Sequence, residues 1–385
     1  MDITLTRRTL HFKQPARTSR GAYTEHDMLL VTITGDVETT DAEGHLVRRG
    51  GLGVGECAPL PDLSCDRHAY DDYETTGRLL EEALQSDDYS EHLRDYPALL
   101  FALESAMFEY QQNPVLYQTP FARGEHGIPI NGLVWMADYE GMLQQVKTKL
   151  KAGFRCIKLK IGAIDWESEL RLLTLIRSRF SPETLELRVD ANGGLVAPPN
   201  PPRGENGRQA TNDALYDSAM QRLEQLAKLH IHSIEQPIPA RWQTMGHLAS
   251  PPSGGWGGLG RLCASTPLPI ALDEELIGLN RHEERRAMLD EVRPQYVVIK
   301  PTLHGGITGA LEWASLAKAR GIGSWVTSAL ESNIGLRHVA LLSAAIYGPK
   351  NPFPQGLGTG QLFLDNIPSD LRLEGPRLWL GPSHN

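Results

Sequence analysis

Five stretches of the chain carry ionisable residues where a buried strand would tolerate few: FRCIKLKIG (154–162), LELRVDANGG (185–194), IHSIEQPI (231–238), PLPIALDEEL (267–276) and QYVVIKPTL (295–303). Each alternates with period two, so its side chains divide between two faces. Ile157, Leu159 and Ile161 share one face, and Lys158 and Lys160 the other. Leu187, Val189 and Ala191 oppose Arg188, Asp190 and Asn192. Ile234 opposes Ser233 and Glu235, while Ile270 and Leu272 oppose Ala271 and Asp273; the last stretch closes on Lys300. One such residue is commonly a structural ion pair. Five strands in series, each charged near its C-terminal end, point to a site built there.

The residue types narrow the chemistry. Asp190, Glu235 and Asp273 offer oxygen donors only, which suits Mg²⁺, with Mn²⁺ as a substitute. Lys158 and Lys160 flank the carboxylates on one side and Lys300 on the other. A lysine desolvated near other cations has a lowered pKa and can act as a base. A cation holding a substrate carboxylate would stabilise the charge that appears when the adjacent carbon loses its proton. The expected reaction is proton abstraction alpha to a carboxylate through an enediolate. One base performing an elimination and two opposed bases performing an epimerisation both satisfy these residues.

The elements that must position these side chains repeat. Short apolar runs, from IPINGLV (128–134) to IGSWVTSALES (322–332) and NPFPQGLG (351–358), alternate with amphipathic segments such as WESELRLLTLIRSRF and ITGALEWASLAKARG. Seven or eight βα units predict a (β/α)8-type barrel. Residues 1–40 read as two strands, 50–66 as a Gly/Pro-rich loop and 68–112 as helical, so the first part is α+β. Two Pro/Gly-rich stretches, 196–212 and 249–260, read as surface insertions without a hydrophobic anchor.

Composition excludes several classes. The 385 residues carry 38 basic and 47 acidic side chains, a net charge of −9, which argues against a nucleic-acid surface. No run of about 18 apolar residues suggests a membrane span, and the charged N-terminus lacks a signal core. Cys57, Cys65, Cys156 and Cys263 form no CxxC pair, which predicts free thiols and a cytoplasmic protein. A small carboxylate is the expected partner, and the oligomeric state stays open.

At the residues KLK (158–160), RVDAN (188–192), EQP (235–237) and LDE (272–274) the chain resembles the enolase superfamily, in its muconate-lactonising branch. The closer likeness lies in GECAPLPDLS (55–64), INGLV (130–134), KLKIG (158–162), RVDANGG (188–194) and SALESNIGL (328–336). It implies a modified (β/α)7β TIM-type barrel with an α+β N-terminal capping domain. The implied ranges are 1–125 for the cap, with substrate-closing loops near 14–24 and 52–66, then 126–360 for the barrel. Residues 361–385 would pack back on the cap.

The resemblance also assigns roles. Asp190, Glu235 and Asp273 would ligate Mg²⁺. Lys160 would take the alpha proton and return it to the departing hydroxyl, with Lys300 stabilising the intermediate as a cation. Lys158 would hold Lys160 and the bound carboxylate. The implied reaction is a syn loss of water that aromatises a succinyl-hydroxycyclohexadiene carboxylate in menaquinone biosynthesis. The rival on this scaffold is an N-succinylamino-acid racemase or dipeptide epimerase. For the succinyl tail the expected residues are Ser328, Glu331, Ser332 and Asn333, with Gly305 and Gly306 letting backbone approach the substrate. Arg17 and Arg20, before the second strand, are candidates to meet substrate anions.

Overall fold

The computed structural model describes residues 1–18, 21–40, 46–162, 164–195, 212–240, 256–351 and 353–381. The expected side-chain contacts of Arg17 and Arg20, and most of both Pro/Gly-rich stretches, lie outside what is described.

The chain opens with an antiparallel sheet of β1 (Asp2–Thr18), β2 (Gly21–Thr40) and β3 (Leu46–Cys57), in that order. The third strand corrects the loop expected over 50–66, which begins only after Cys57. The glycines there serve packing. A Cβ on Gly53 would lie 1.9 Å from the Ala106 carbonyl oxygen, and one on Gly55 1.8 Å from that of Ala102. Two glycines two apart on a strand thus seat two residues four apart on a helix. Helices α1 (Tyr73–Gln85), α2 (Tyr89–His92), α3 (Pro97–Gln111) and α4 (Pro114–Tyr117) follow. Every residue from Pro97 to Ala106 is buried, because α3 lies between this sheet and the barrel.

After β4 (Ile128–Pro129), seven parallel strands form one curled sheet: β5 (Gly132–Val134), β6 (Cys156–Lys160), β7 (Glu186–Asp190), β8 (Ser233–Glu235), β9 (Ile270–Leu272), β10 (Tyr296–Ile299) and β11 (Gly323–Val326). The intervening helices are α5 (Tyr139–Lys151), α6 (Trp166–Arg179), α7 (Asn212–Ala227), α8 (Gly257–Ser265), α9 (His282–Val292), α10 (Gly306–Ala319) and α11 (Asn333–Tyr347).

The eighth stave is only two residues. Gln355 bridges Ile130 and Gly356 bridges Thr327, both in parallel sense, which closes the ring. Pro354 has no N–H to donate, which stops the stave on its N-terminal side. The architecture is the (β/α)7β barrel with an α+β cap.

A second correction concerns 249–260. From Gly257 this stretch is α8, the barrel helix after β8, and Leu259, Leu262 and Cys263 are buried. It also has an anchor: the buried Trp256 indole donates to Glu275 Oε1 at 3.0 Å. At the C-terminus, Phe363 bridges Phe12 of β1, whereas the hairpin of β12 (Leu371–Glu374) and β13 (Arg377–Leu380) pairs with β4.

The aliphatic strand faces, including Ile157, Leu159, Leu187, Val189, Ile234 and Ile270, pack outward in one core with the helices. Inside the barrel, its N-terminal end is plugged by Ala271, Val298 and Trp325, with the Arg188 guanidinium 4.2 Å over the Trp325 ring. The opposite end is therefore the one that can hold a site.

Gly55→Ala should force α3 off the sheet and lower the unfolding free energy in urea by about 3 kcal/mol. Gly77→Ala, with open space around it in α1, should be neutral or stabilising by up to about 1 kcal/mol. Equal stability of the two variants would contradict this packing.

Candidate active site

Strand register sets the site. Lys160 lies opposite Asp190, and Asp190 opposite Glu235. Glu235 pairs with Ala271, so Asp273 stands two residues further on, just past the end of β9 and on the same side. The three carboxylates are at most 2% exposed. Lys158 Nζ reaches Glu235 Oε2 at 2.5 Å and Asp190 Oδ2 at 3.1 Å. Lys160 Nζ donates to Asn192 Oδ1 at 2.8 Å and lies 3.4 Å from Asp190 Oδ2. The Trp135 ring centroid is 5.4 Å from the same ammonium. Lys300 Nζ donates to Asp273 Oδ2.

The three lysines are in different electrostatic states. Burial depresses Lys160, and Lys158 and Lys300 nearby add to the effect, against the pull of Asp190. Burial also opposes charge on Lys158, but Asp190 and Glu235 outweigh it and raise its pKa. Lys300 is raised in the same way, chiefly by Asp273. Asp190 is lowered despite its burial, because Lys158 and Lys160 face it. Glu235 moves upward through burial and its two carboxylate neighbours, Asp190 and Asp273. One lysine is thus biased toward the free amine and two toward the ammonium.

Among the described residues no three His, Cys, Asp or Glu side chains converge as a metal cluster. Lys158 stands between Asp190 and Glu235, and Lys300 holds Asp273. The donor set nevertheless fits a hard divalent cation. It consists of three buried carboxylates on neighbouring strand ends, and Asp273 Oδ1 has no hydrogen-bond partner among the described residues.

Residues 141–363, more than half of the chain, match the enolase C-terminal domain-like family. The chain belongs to the enolase superfamily. An o-succinylbenzoate synthase of Desulfotalea psychrophila is 40% identical over 97% of this chain and 98% of its own length. The crystal structure of MenC from the same organism superposes with a TM-score of 0.70, at 36% identity and 99% coverage of both chains. An N-succinyl-L-Arg/Lys racemase of Bacillus cereus is 26% identical over 66% of this chain and 62% of its own. The substrate-liganded L-Ala-D/L-Glu epimerase of Bacillus subtilis shares the fold, with a TM-score of 0.67 at 19% identity, covering 99% of this chain and 96% of that one.

In this superfamily member a cavity opens at the C-terminal ends of the barrel strands. Lys158, Lys160, Asp190, Lys300 and Ser328 line it, together with residues to which the sequence analysis gave no role. Of these, Asn192 matters most, since it holds Lys160 and donates to Glu274 Oε1 at 3.1 Å. It lies within RVDAN, two residues beyond Asp190 on the same face, and that spacing could have marked it. Trp135 directly follows INGLV. Tyr23, from the N-terminal sheet, carried no local signal.

Five residues expected at the substrate sit elsewhere. Glu331 is fully buried behind Ser328 and accepts from Ser328 Oγ at 2.6 Å, Ala329 N at 2.8 Å and Thr302 Oγ1 at 2.5 Å. Ser332 is the N-cap of α11 and donates to Glu56. Asn333 donates to the Ile367 carbonyl at 2.8 Å. Gly305 and Gly306 have φ of 99° and 72°, and an added Cβ there would meet Arg285 and Glu104 rather than the cavity. Loop building, helix capping and domain docking use these residues, a competition that local sequence does not reveal. Glu56, in the GECAPLPDLS stretch, likewise docks onto α11, while Leu60 and Leu63 of that stretch face the cavity.

Lys158→Met removes the charge between two buried carboxylates while filling similar space. In chelator-treated protein the unfolding free energy should fall by about 3–5 kcal/mol, and added Mg²⁺ should recover part of it. Urea curves at parental stability in chelator would show that another group balances Asp190 and Glu235.

Proposed function

We propose that this enolase superfamily member is an o-succinylbenzoate synthase. It would dehydrate 2-succinyl-6-hydroxy-2,4-cyclohexadiene-1-carboxylate to 2-succinylbenzoate in menaquinone biosynthesis. The observation that carries the reading is near full-length likeness to the Desulfotalea synthase. The lysines are compatible with it: burial depresses Lys160, while Asp273 raises Lys300. A two-base epimerase would start from the same amine and ammonium pair, so the likeness to the synthase decides between the two readings.

Lys160 Nζ takes the alpha proton, and the C–H electron pair moves into the adjacent carboxylate to give an enediolate. The electrons then return to the ring as the C–O bond on the same face breaks. The Lys160 ammonium gives its proton to the departing hydroxyl, which leaves as water. Lys300 stabilises the negative charge from the far side. Lys158 keeps Asp190 and Glu235 in place, and Asn192 aims Lys160. A Mg²⁺ held by Asp190, Glu235 and Asp273, with Mn²⁺ as a substitute, would supply positive charge against the substrate carboxylate. Trp135, Leu60 and Leu330 offer apolar surface for the ring, and Ser328, whose hydroxyl proton goes to Glu331, lines the wall with Thr359. A cytoplasmic setting is supported by four free cysteines and by the absence, among the described residues, of a helix long and apolar enough to cross a membrane.

Purified protein with Mg²⁺ should aromatise the cyclohexadiene substrate, read by absorbance, and lose the activity in chelator. Lys160→Ala should lose roughly 10²–10⁴-fold. Because Lys160 acts as the free amine and its pKa is lowered, kcat/KM should rise with pH and level off below the ordinary lysine range. Intact, Mg²⁺-loaded protein that leaves the diene unchanged would sink the reading. Alpha-hydrogen exchange of N-succinyl amino acids in D₂O would then favour the racemase, with Lys300 as a second base.

A further inference from the structure

His304 has no part in the chemistry above, yet its ring is buried against the site, at 1% exposure. It lies one turn beyond Lys300, where the N–H groups of Leu303 and His304 both donate to the Lys300 carbonyl at 2.9 Å. In return the Lys300 backbone N–H donates to His304 Nδ1 at 3.0 Å. A backbone N–H can only donate, so Nδ1 carries no proton and the ring proton lies on Nε2. Nε2 stands 3.9 Å from Asp273 Oδ1. Among the described residues neither atom has a hydrogen-bond partner, although both are buried. A buried donor and a buried acceptor this close together are complementary, and leaving either unpaired is costly. Arg285 pins the backbone here, since its Nη2 donates to the His304 carbonyl at 3.2 Å. The carboxylate is therefore the partner that turns to close the gap.

We propose that His304 is a positioning residue: its Nε2–H donates to Asp273 Oδ1 and holds that carboxylate with Oδ2 aimed into the site beside Lys300. This rests on the reading of Asp273 as a cation ligand. A hydrogen bond to a ligating carboxylate sets its orientation before the cation arrives. One imidazole would then couple the turn that carries Lys300 to the strand end that carries Asp273.

Two variants separate this role from packing. His304→Asn keeps an acceptor for the Lys300 N–H but is too short to reach Asp273. His304→Gln restores a donor at the reach of Nε2. Mn²⁺ binding to the substrate-free protein, followed by electron paramagnetic resonance, should weaken 10- to 100-fold in His304→Asn. It should return to within a few-fold in His304→Gln, with circular dichroism spectra of both matching the parent. Ring ¹⁵N spectra of the parent chain should show a protonated Nε2 and an unprotonated Nδ1. A parent ring protonated at Nδ1 would overturn the proposal even if neither variant folds. So would His304→Asn binding Mn²⁺ like the parent. A parent chain that takes up no Mn²⁺ would overturn the cation reading instead, and the ring spectrum would still decide the tautomer.

Discussion

The site rests on a balance of buried charge. Asp190, Glu235 and Asp273 come from three neighbouring strands and are held almost entirely away from water. Like charges held close together away from water repel one another by an amount on the order of kcal/mol. The barrel can place them together only because Lys158 bridges two of them and Lys300 holds the third. The same balance sets the chemistry. Lys158 and Lys300 are committed to carboxylates, which leaves Lys160 as the lysine that burial, helped by the other two ammonium groups, biases toward the free amine.

Two further carboxylates join the cap to this machinery. Glu104 of α3 accepts from Ile307 N and Thr308 N at the start of α10, and Glu56 of β3 accepts from Ser332 N and Gly335 N at the start of α11. Helix N-termini present unpaired N–H groups and positive potential, so a carboxylate is a natural partner. Burial nevertheless pushes both glutamates up to about 7. The helices they cap begin where the Lys300 turn and the Ser328 loop end. Docking of the cap therefore bears on both rims of the cavity, and the cap supplies Tyr23, Leu60 and Leu63 to its wall.

The misread segments share a cause. The glycines of β3 look like a loop because glycine is the usual residue of turns; here they admit the backbone of α3, a helix some 50 residues further along the chain. The Gly-rich start of α8 resembles an insertion until Trp256 is seen anchored on Glu275. SALES reads as a polar cluster at a strand end. In the fold, Ser328 alone of its polar side chains lines the cavity, while Glu331 and Ser332 build the loop and cap the helix.

What the sequence determines by itself is the face on which each side chain lies. Period two is a property of the extended chain, so Lys158, Lys160, Asp190, Glu235, Asp273 and Lys300 could be assigned to the barrel interior without coordinates. Repeated βα units with an α+β prelude were legible for the same local reason. Which ammonium meets which carboxylate was not. Lys158 and Lys160 are equivalent in sequence, two residues apart on one face. The register between β6, β7 and β8 places the first between Asp190 and Glu235 and the second on Asn192. That register is set by closing eight tilted staves into a ring, a condition that no single strand carries.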